Sequence, residues 1–155
     1  MERFAPVDDQ YDPDALEERV FAYWDEVDAY ERTVEHRADG EDFFFVDGPP
    51  YTSGSAHMGH AWNKTLKDVY IRYKRMQGHS VTDRPGYDMH GLPIETKVEE
   101  AMDFENKKDI EDFGIQNFID ECRAFAEDSL DSLQSDFKSF GVWMDWADPY
   151  KTVSP

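Results

Sequence analysis

The sequence predicts an α/β fold: an N-terminal helix, the first half of a parallel-sheet unit, and a long amphipathic helix after it. Three observations carry this. Phe43, Phe44, Phe45 and Val46 form an uninterrupted aromatic and β-branched run, the pattern of a strand buried on both faces of a parallel sheet. The run stops at Asp47-Gly48-Pro49-Pro50-Tyr51-Thr52-Ser53-Gly54-Ser55, whose prolines and glycines forbid helix and ladder alike. Helical spacing then resumes with Trp62, Leu66, Val69, Tyr70 and Tyr73. From Ile115, the positions Phe118, Ile119, Cys122, Phe125, Ala126, Leu130, Leu133, Phe137 and Phe140 keep a helical rhythm until Gly141, with Asp and Glu on the other face.

Each remaining element has its own signal. Asp12 can cap a helix with Pro13 at its first position, and Leu16, Val20, Tyr23, Trp24 and Val27 recur at three- and four-residue intervals. That pattern predicts one amphipathic helix, followed by a polar, glycine-containing stretch over 35–41. After the loop a helix is predicted over 59–76, with Gly78 placed to end it. A short second strand follows at Ser80-Val81-Thr82, and Arg84-Pro85-Gly86 turns the chain into Tyr87-Asp88-Met89-His90-Gly91. Pro93 suits the first turn of a helix running toward Met102. The charged stretch over 102–114 has no clear period and reads as a surface connection. Val142 to Tyr150 is an aromatic cluster without an obvious closing element, so the chain reads as cut rather than finished.

The chain has 155 residues, with 16 Lys and Arg against 35 Asp and Glu, a formal charge of −19. With 11 Phe, 8 Tyr and 4 Trp it carries too much buriable surface for a disordered acidic tail. In dilute salt that charge argues against bulk attraction to nucleic acid or an anionic membrane. At about 1 M salt the Debye length shrinks to about 3 Å, and acidic excess becomes a solubility device, so a salt-rich cytosol in a halophilic organism is expected. The melting temperature should rise between low and molar KCl; a flat curve would refute this. Cys122 is the single cysteine, which excludes an internal disulfide. No stretch is apolar enough for a signal peptide or a membrane span, so a cytoplasmic protein without a membrane partner is expected.

The distribution of charge is more informative than its sum. Between Pro49 and His90 lie six basic and three acidic residues, a local +3, and residues 49–63 contain no Asp, Glu, Lys or Arg. A solvated helix face is the plain account of the cations from Lys64 to Arg75. The same window nevertheless holds Gly54-Ser55-Ala56-His57-Met58-Gly59-His60 between a strand and a helix start. Glycines let backbone approach a ligand, and the free N–H groups and positive dipole end of a helix favour an anion, so phosphate binding is the natural chemistry. Two imidazoles three residues apart can donate to phosphate oxygens; losing one such donor typically costs about 10²–10³ in rate. A Walker-type loop is disfavoured, because His60 stands where Lys is needed and Ala61 where Ser or Thr would hold Mg²⁺. A metal site from His57 and His60 with His90 or Cys122 matches no standard zinc spacing. Purely structural histidines are the default for a lone residue, less so for a pair in a glycine loop.

Pro49-Pro50-Tyr51 followed by His57-Met58-Gly59-His60 resembles the first signature of the class I aminoacyl-tRNA synthetases, with Met58 in its variable second place. Ala61-Trp62-Asn63-Lys64-Thr65-Leu66-Lys67-Asp68 is similar to the continuation in their branched-chain subgroup. Gly86-Tyr87-Asp88-Met89-His90-Gly91-Leu92-Pro93-Ile94-Glu95 resembles the isoleucine branch in particular, as do Phe140-Gly141-Val142-Trp143-Met144-Asp145-Trp146 and Asp148-Pro149-Tyr150-Lys151-Thr152. Tyr87 and Met89 depart from the Trp and Cys usual in that branch, and valine- or leucine-type enzymes are the nearest alternatives. The likeness spans almost the whole chain.

The resemblance implies a Rossmann-like (HUP-type) catalytic domain, with its N-terminal half at 43–155, ending before the editing insertion, and a helical extension at 1–42. It implies activation of isoleucine by ATP, with Mg²⁺ accompanying the ATP, and attachment of isoleucine to tRNA(Ile). His57 and His60 would be catalytic, holding the ATP phosphates, with Gly59 leaving room for the nucleotide and Asn63 joining the ATP site. Asp88 would pair with the substrate's α-ammonium, Pro49 and Tyr51 would line the amino-acid pocket, and His90 would belong to the pocket or to packing. A turn-capping role after Gly86 is the plainer account of Asp88. The family's second signature, a Lys-Met-Ser-Lys-Ser-type loop, does not occur in these residues, so the chain alone is expected to form no adenylate. Two competing readings are a non-catalytic fragment or paralogue that binds nucleotide or tRNA, and a nucleotidyltransferase of the same superfamily. The second has no reason to carry Asp88-Met89-His90-Gly91-Leu92-Pro93.

Overall fold

The computed structural model describes residues 10–154, and the chain divides into two compact units, Met1–His36 and Arg37–Pro155. Residues 1–9 of the expected helical extension lie outside the described residues. In the first unit, α1 (Pro13–Glu26) begins as its sequence dictates, with the Asp12 carboxylate accepting the Ala15 N–H at 3.1 Å and Pro13 in the first turn. Asp28 adopts a left-handed φ of 49°, which ends α1 and allows α2 (Ala29–His36), a helix the apolar pattern did not predict. Neither helix has a buried residue.

The second unit opens with β1 (Asp42–Phe44), α3 (Met58–Met76) and β2 (Ser80–Thr82), a βαβ unit whose strands are parallel, with Phe43 opposite Val81. The Phe45 N–H donates to the Thr82 carbonyl at 2.9 Å and adds a last rung. The strand is shorter than its apolar run, and its burial corrects the expectation. Phe43 and Phe45 are half-buried, whereas Phe44 and Val46 are 72% and 84% exposed, the alternation of a strand covered on one face only.

Next come β3 (Gly86–Tyr87), α4 (Leu92–Ala101), α5 (Lys107–Phe113), α6 (Ile115–Ser139) and β4 (Tyr150–Lys151). Three of these were not expected, β3 among them, where the sequence read only a turn. β4 pairs in parallel with β3, Gly86 opposite Tyr150. The stretch read as a connection contains α5, whose start is a reciprocal cap between Asn106 and Asp109. Seven residues are too few to display a period, so only the cap could have revealed it. The core gathers Tyr87, Met89, Ile94, Ala126, Leu130, Leu133 and Phe137, and a second cluster holds Ile71, Val142 and Met144. Among the described residues no helix is long and apolar enough to cross a membrane.

Helix α3 is turned the opposite way from its apolar stripe. Trp62 and Leu66 are 70% and 60% exposed, with Val69, Tyr70 and Tyr73 also outward, while Lys64, Asp68, Ile71 and Arg75 are buried. The charged residues tolerate burial because they are paired. Arg72 Nε meets Asp68 at 2.7 Å, the Trp143 N–H donates to the other oxygen of Asp68 at 2.8 Å, and Arg75 bonds Asp83.

Candidate functional site

The loop between β1 and α3 is built from its ends inward. At one end Asp47 is fully buried and accepts from both Lys64 Nζ and Lys67 Nζ at 2.5 Å. The chain then runs beside the segment that follows β3. The Asp88 N–H donates to the Pro50 carbonyl at 2.8 Å and the Thr52 N–H to the Asp88 carbonyl at 3.0 Å, which makes Tyr51 and Asp88 parallel bridge partners. On the far side the Thr152 N–H donates to the Tyr87 carbonyl at 3.1 Å, and the Thr152 hydroxyl donates to Asp88 Oδ1 at 3.3 Å. Asp88 is half-buried and ends at a ledge of three parallel segments; its Oδ2 has no protein partner among the described residues. It does not act as a turn cap.

At the loop's other end, Ala56 donates its N–H to Asp136 of α6 at 2.8 Å, and His57 caps α3. His57 Nδ1 accepts the Gly59 N–H at 3.0 Å, and the His57 N–H in turn donates to His60 Nδ1 at 3.3 Å. The two rings stack with centroids 4.0 Å apart, and the edge contact of His60 with Phe137 closes the far side at 5.9 Å. Because both Nδ1 atoms accept, each neutral ring carries its proton on Nε2, and each keeps one N–H donor. Burial, then the neighbouring His57, then Lys64 hold His60 below the ordinary imidazole value, so it stays neutral near pH 7. A metal held through the Nδ1 atoms would cost both caps.

Gly59 lies against the cap. A Cβ there would lie 2.9 Å from Cε1 of the His57 ring, so the absence of a side chain makes room for the cap itself. Pro49 is half-buried, Tyr51 is exposed on the same ledge as Asp88, and Asn63 and His90 are exposed without side-chain partners among the described residues.

The positive window is not an open funnel. Lys64 and Lys67 are held by Asp47, Arg72 by Asp68, Arg75 by Asp83 and Arg84 by Asp148, and the Lys74 ammonium lies 5.2 Å from the centroid of the Phe43 ring. What remains for an anion is the helix start with its two Nε2–H donors. The Asp47 ion pairs were missed from sequence; the only signal was one carboxylate at the strand's end and two lysines in the following helix.

Comparison with known proteins bears on the same residues. The family model described as tRNA synthetases class I (I, L, M and V) matches residues 19–155. The chain is 83% identical over 155 residues to the isoleucine–tRNA ligase of Natronomonas pharaonis and 78% identical over 155 residues to that of Haloarcula marismortui, both halophiles. All of this chain is covered in each case, but only 15% and 14% of the respective relative. The LeuRS of Agrobacterium radiobacter K84, solved as a ternary complex with tRNA and LeuAMS, is similar in structure. Its TM-score is 0.68 at 26% identity, covering 94% of this chain and 16% of that one.

Proposed function

The chain belongs to the class I tRNA synthetases of the I, L, M and V group, and from that premise we propose that it supplies the ATP loop and the amino-acid carboxylate of an isoleucine–tRNA ligase. The observation that carries this reading is the stacked histidine pair at the start of α3, each ring left with an Nε2–H donor because its Nδ1 is occupied by the cap.

In this reading the phosphates of ATP meet the N-terminus of α3 and the Nε2–H groups of His57 and His60, with Asn63 further along the same helix. The isoleucine carboxylate attacks the α-phosphorus; a new P–O bond forms to the acyl oxygen as the bond to the bridging oxygen breaks and pyrophosphate leaves. Negative charge on the phosphate oxygens is greatest during that exchange, so N–H donors held beside them stabilise the transition state more than the ground state. Near-contact donors also suit a protein working in salt, where steering over more than a few ångströms is screened. Asp88 Oδ2 takes the α-ammonium, Pro49 and Tyr51 border the side-chain pocket, and His90 stands beside it. The aminoacyl group then passes to tRNA(Ile) in the cytoplasm. Residues 49–63 hold no carboxylate, and no group of three His, Cys, Asp or Glu side chains able to hold a metal occurs among the described residues. Mg²⁺ would accompany the phosphate oxygens of ATP. Residues 43–155 would form the N-terminal half of the catalytic domain and 1–42 a helical extension of it.

A charged hydrogen bond of the kind assigned to Asp88 contributes about 1.5–3 kcal/mol. In the protein that contains these residues, Asp88→Ala should raise the isoleucine KM in ATP–pyrophosphate exchange about 10- to 100-fold while leaving the ATP KM nearly unchanged. Equal changes in both would sink the division of roles.

A further inference from the structure

We propose that Asp47 is the positioning residue that holds the nucleotide-binding helix and the amino-acid-binding strand in register. The assignment rests on the isoleucine-activating reading above. Asp47 has a side chain wholly removed from solvent and touches both halves of the site. Its Oδ2 accepts from Lys64 Nζ at 2.5 Å and from the Gly86 N–H at 3.2 Å, and its Oδ1 accepts from Lys67 Nζ at 2.5 Å. Lys64 lies one turn beyond His60 on α3, and Gly86, on β3, lies two residues before Asp88. A single carboxylate thus connects the helix that carries the histidines with the strand that leads into Asp88.

Both contacts are close-packed, so movement at one is transmitted to the other. The Lys64 ammonium sits 4.6 Å from the centroid of the Phe137 ring, the same ring that backs His60. Gly86 packs so closely on the Tyr150 ring that a Cβ there would collide with it. Such a connection can serve the fold alone or the alignment of reacting groups, and the two roles respond differently to charge-balanced replacement. Apolar substitution of a buried ion pair is often neutral for stability, whereas misplacing reacting groups by about 1 Å can cost about 100-fold in rate.

The test compares Asp47→Asn and the double variant Asp47→Asn/Lys64→Met with the unsubstituted protein, all within the protein that contains these residues and in molar KCl. Asp47→Asn should lower the melting temperature and the kcat of isoleucine-dependent exchange. The double variant should regain most of the melting temperature while its kcat stays about 10- to 100-fold down, with smaller changes in the KM of either substrate. A kcat that recovers together with the melting temperature would overturn the assignment. So would a double variant that never regains stability, since Asp47 would then serve the fold alone. Glycine-selective ¹⁵N labelling gives a readout without substrates: the Gly59 amide, at the far end of the connection, should shift in the double variant, and an unmoved signal refutes the link. An unsubstituted protein that fails to exchange with isoleucine would instead sink the functional reading, leaving the Gly59 shift to decide the alignment.

Discussion

In the protein that contains these residues, replacing Phe137 with alanine should lower stability by about 3–5 kcal/mol and, on the isoleucine-activating reading, slow adenylate formation as well. The ring is fully buried and belongs to the main core cluster with Leu130, Leu133 and Tyr87. It also touches the site, with its face toward the Lys64 ammonium at 4.6 Å and an edge contact with His60 at 5.9 Å. Truncation therefore does two things: it opens a cavity in the core, and it removes the π-face beside a buried cation. Burial already pulls the Lys64 ammonium below its ordinary value, against the opposing pull of Asp47, so losing the ring leaves the charge less well solvated. Phe140, whose ring is 6.3 Å from that of Phe137 but 39% exposed, provides the comparison. Phe140→Ala should cost far less stability and leave the exchange rate nearly intact. Phe137→Leu should restore most of the stability but not the cation's seat, so its rate should stay below its stability ranking. Denaturant midpoints and exchange rates for the three variants check this; equal costs at 137 and 140 would refute it.

The legible parts of the fold were those set by local chemistry. Asp12 before Pro13, Gly78 after Met76 and Pro93 after Gly91 each marked a helix boundary that the structure places within a residue or two. Burial was far less legible. Trp62 and Leu66 announce a helix by their spacing, yet spacing says nothing about which face the rest of the chain covers, and here Lys64, Asp68 and Arg75 turn inward. A lysine is buried only where a carboxylate comes to meet it, and Asp47 is 17 residues away along the chain from Lys64. Strand β4 was hidden for a related reason: two residues pair with a segment 64 positions earlier, and no periodicity fits in two residues. At the site, the pairing of histidines was readable because three-residue spacing at a helix start stacks side chains on one face. That their Nδ1 atoms would be occupied was not, since it depends on the rotamers the cap selects.

Those rotamers separate two jobs that a histidine can do, and asparagine can perform only one of them. Its Oδ1 can stand where Nδ1 stands and accept the backbone N–H, but it offers nothing at the position of Nε2. In the protein that contains these residues, His60→Asn should therefore keep the start of α3 and most of the stability, while on the proposed reading it cuts adenylate formation at saturating substrates by about 10²–10³. His60→Gln can likewise accept the His57 N–H, through Oε1 as glutamine does in reciprocal helix caps, so it too should keep the start of α3 while losing the ring's Nε2–H. Acid has the opposite effect to the asparagine change, because a proton added to the ring goes onto Nδ1 and removes the acceptor. The folded state holds His60 below its ordinary value of 6.5, so the unfolded chain binds that proton more readily. Stability from this group is complete above pH 6.5 and declines as the pH falls toward the lower folded value, and the exchange rate should decline in the same direction. In melting curves taken between pH 7.5 and 5.5, His60→Asn should lose less stability than the unsubstituted protein. If His60→Asn instead retains the full rate of adenylate formation, the Nε2–H is not the working atom and the pair serves the helix alone.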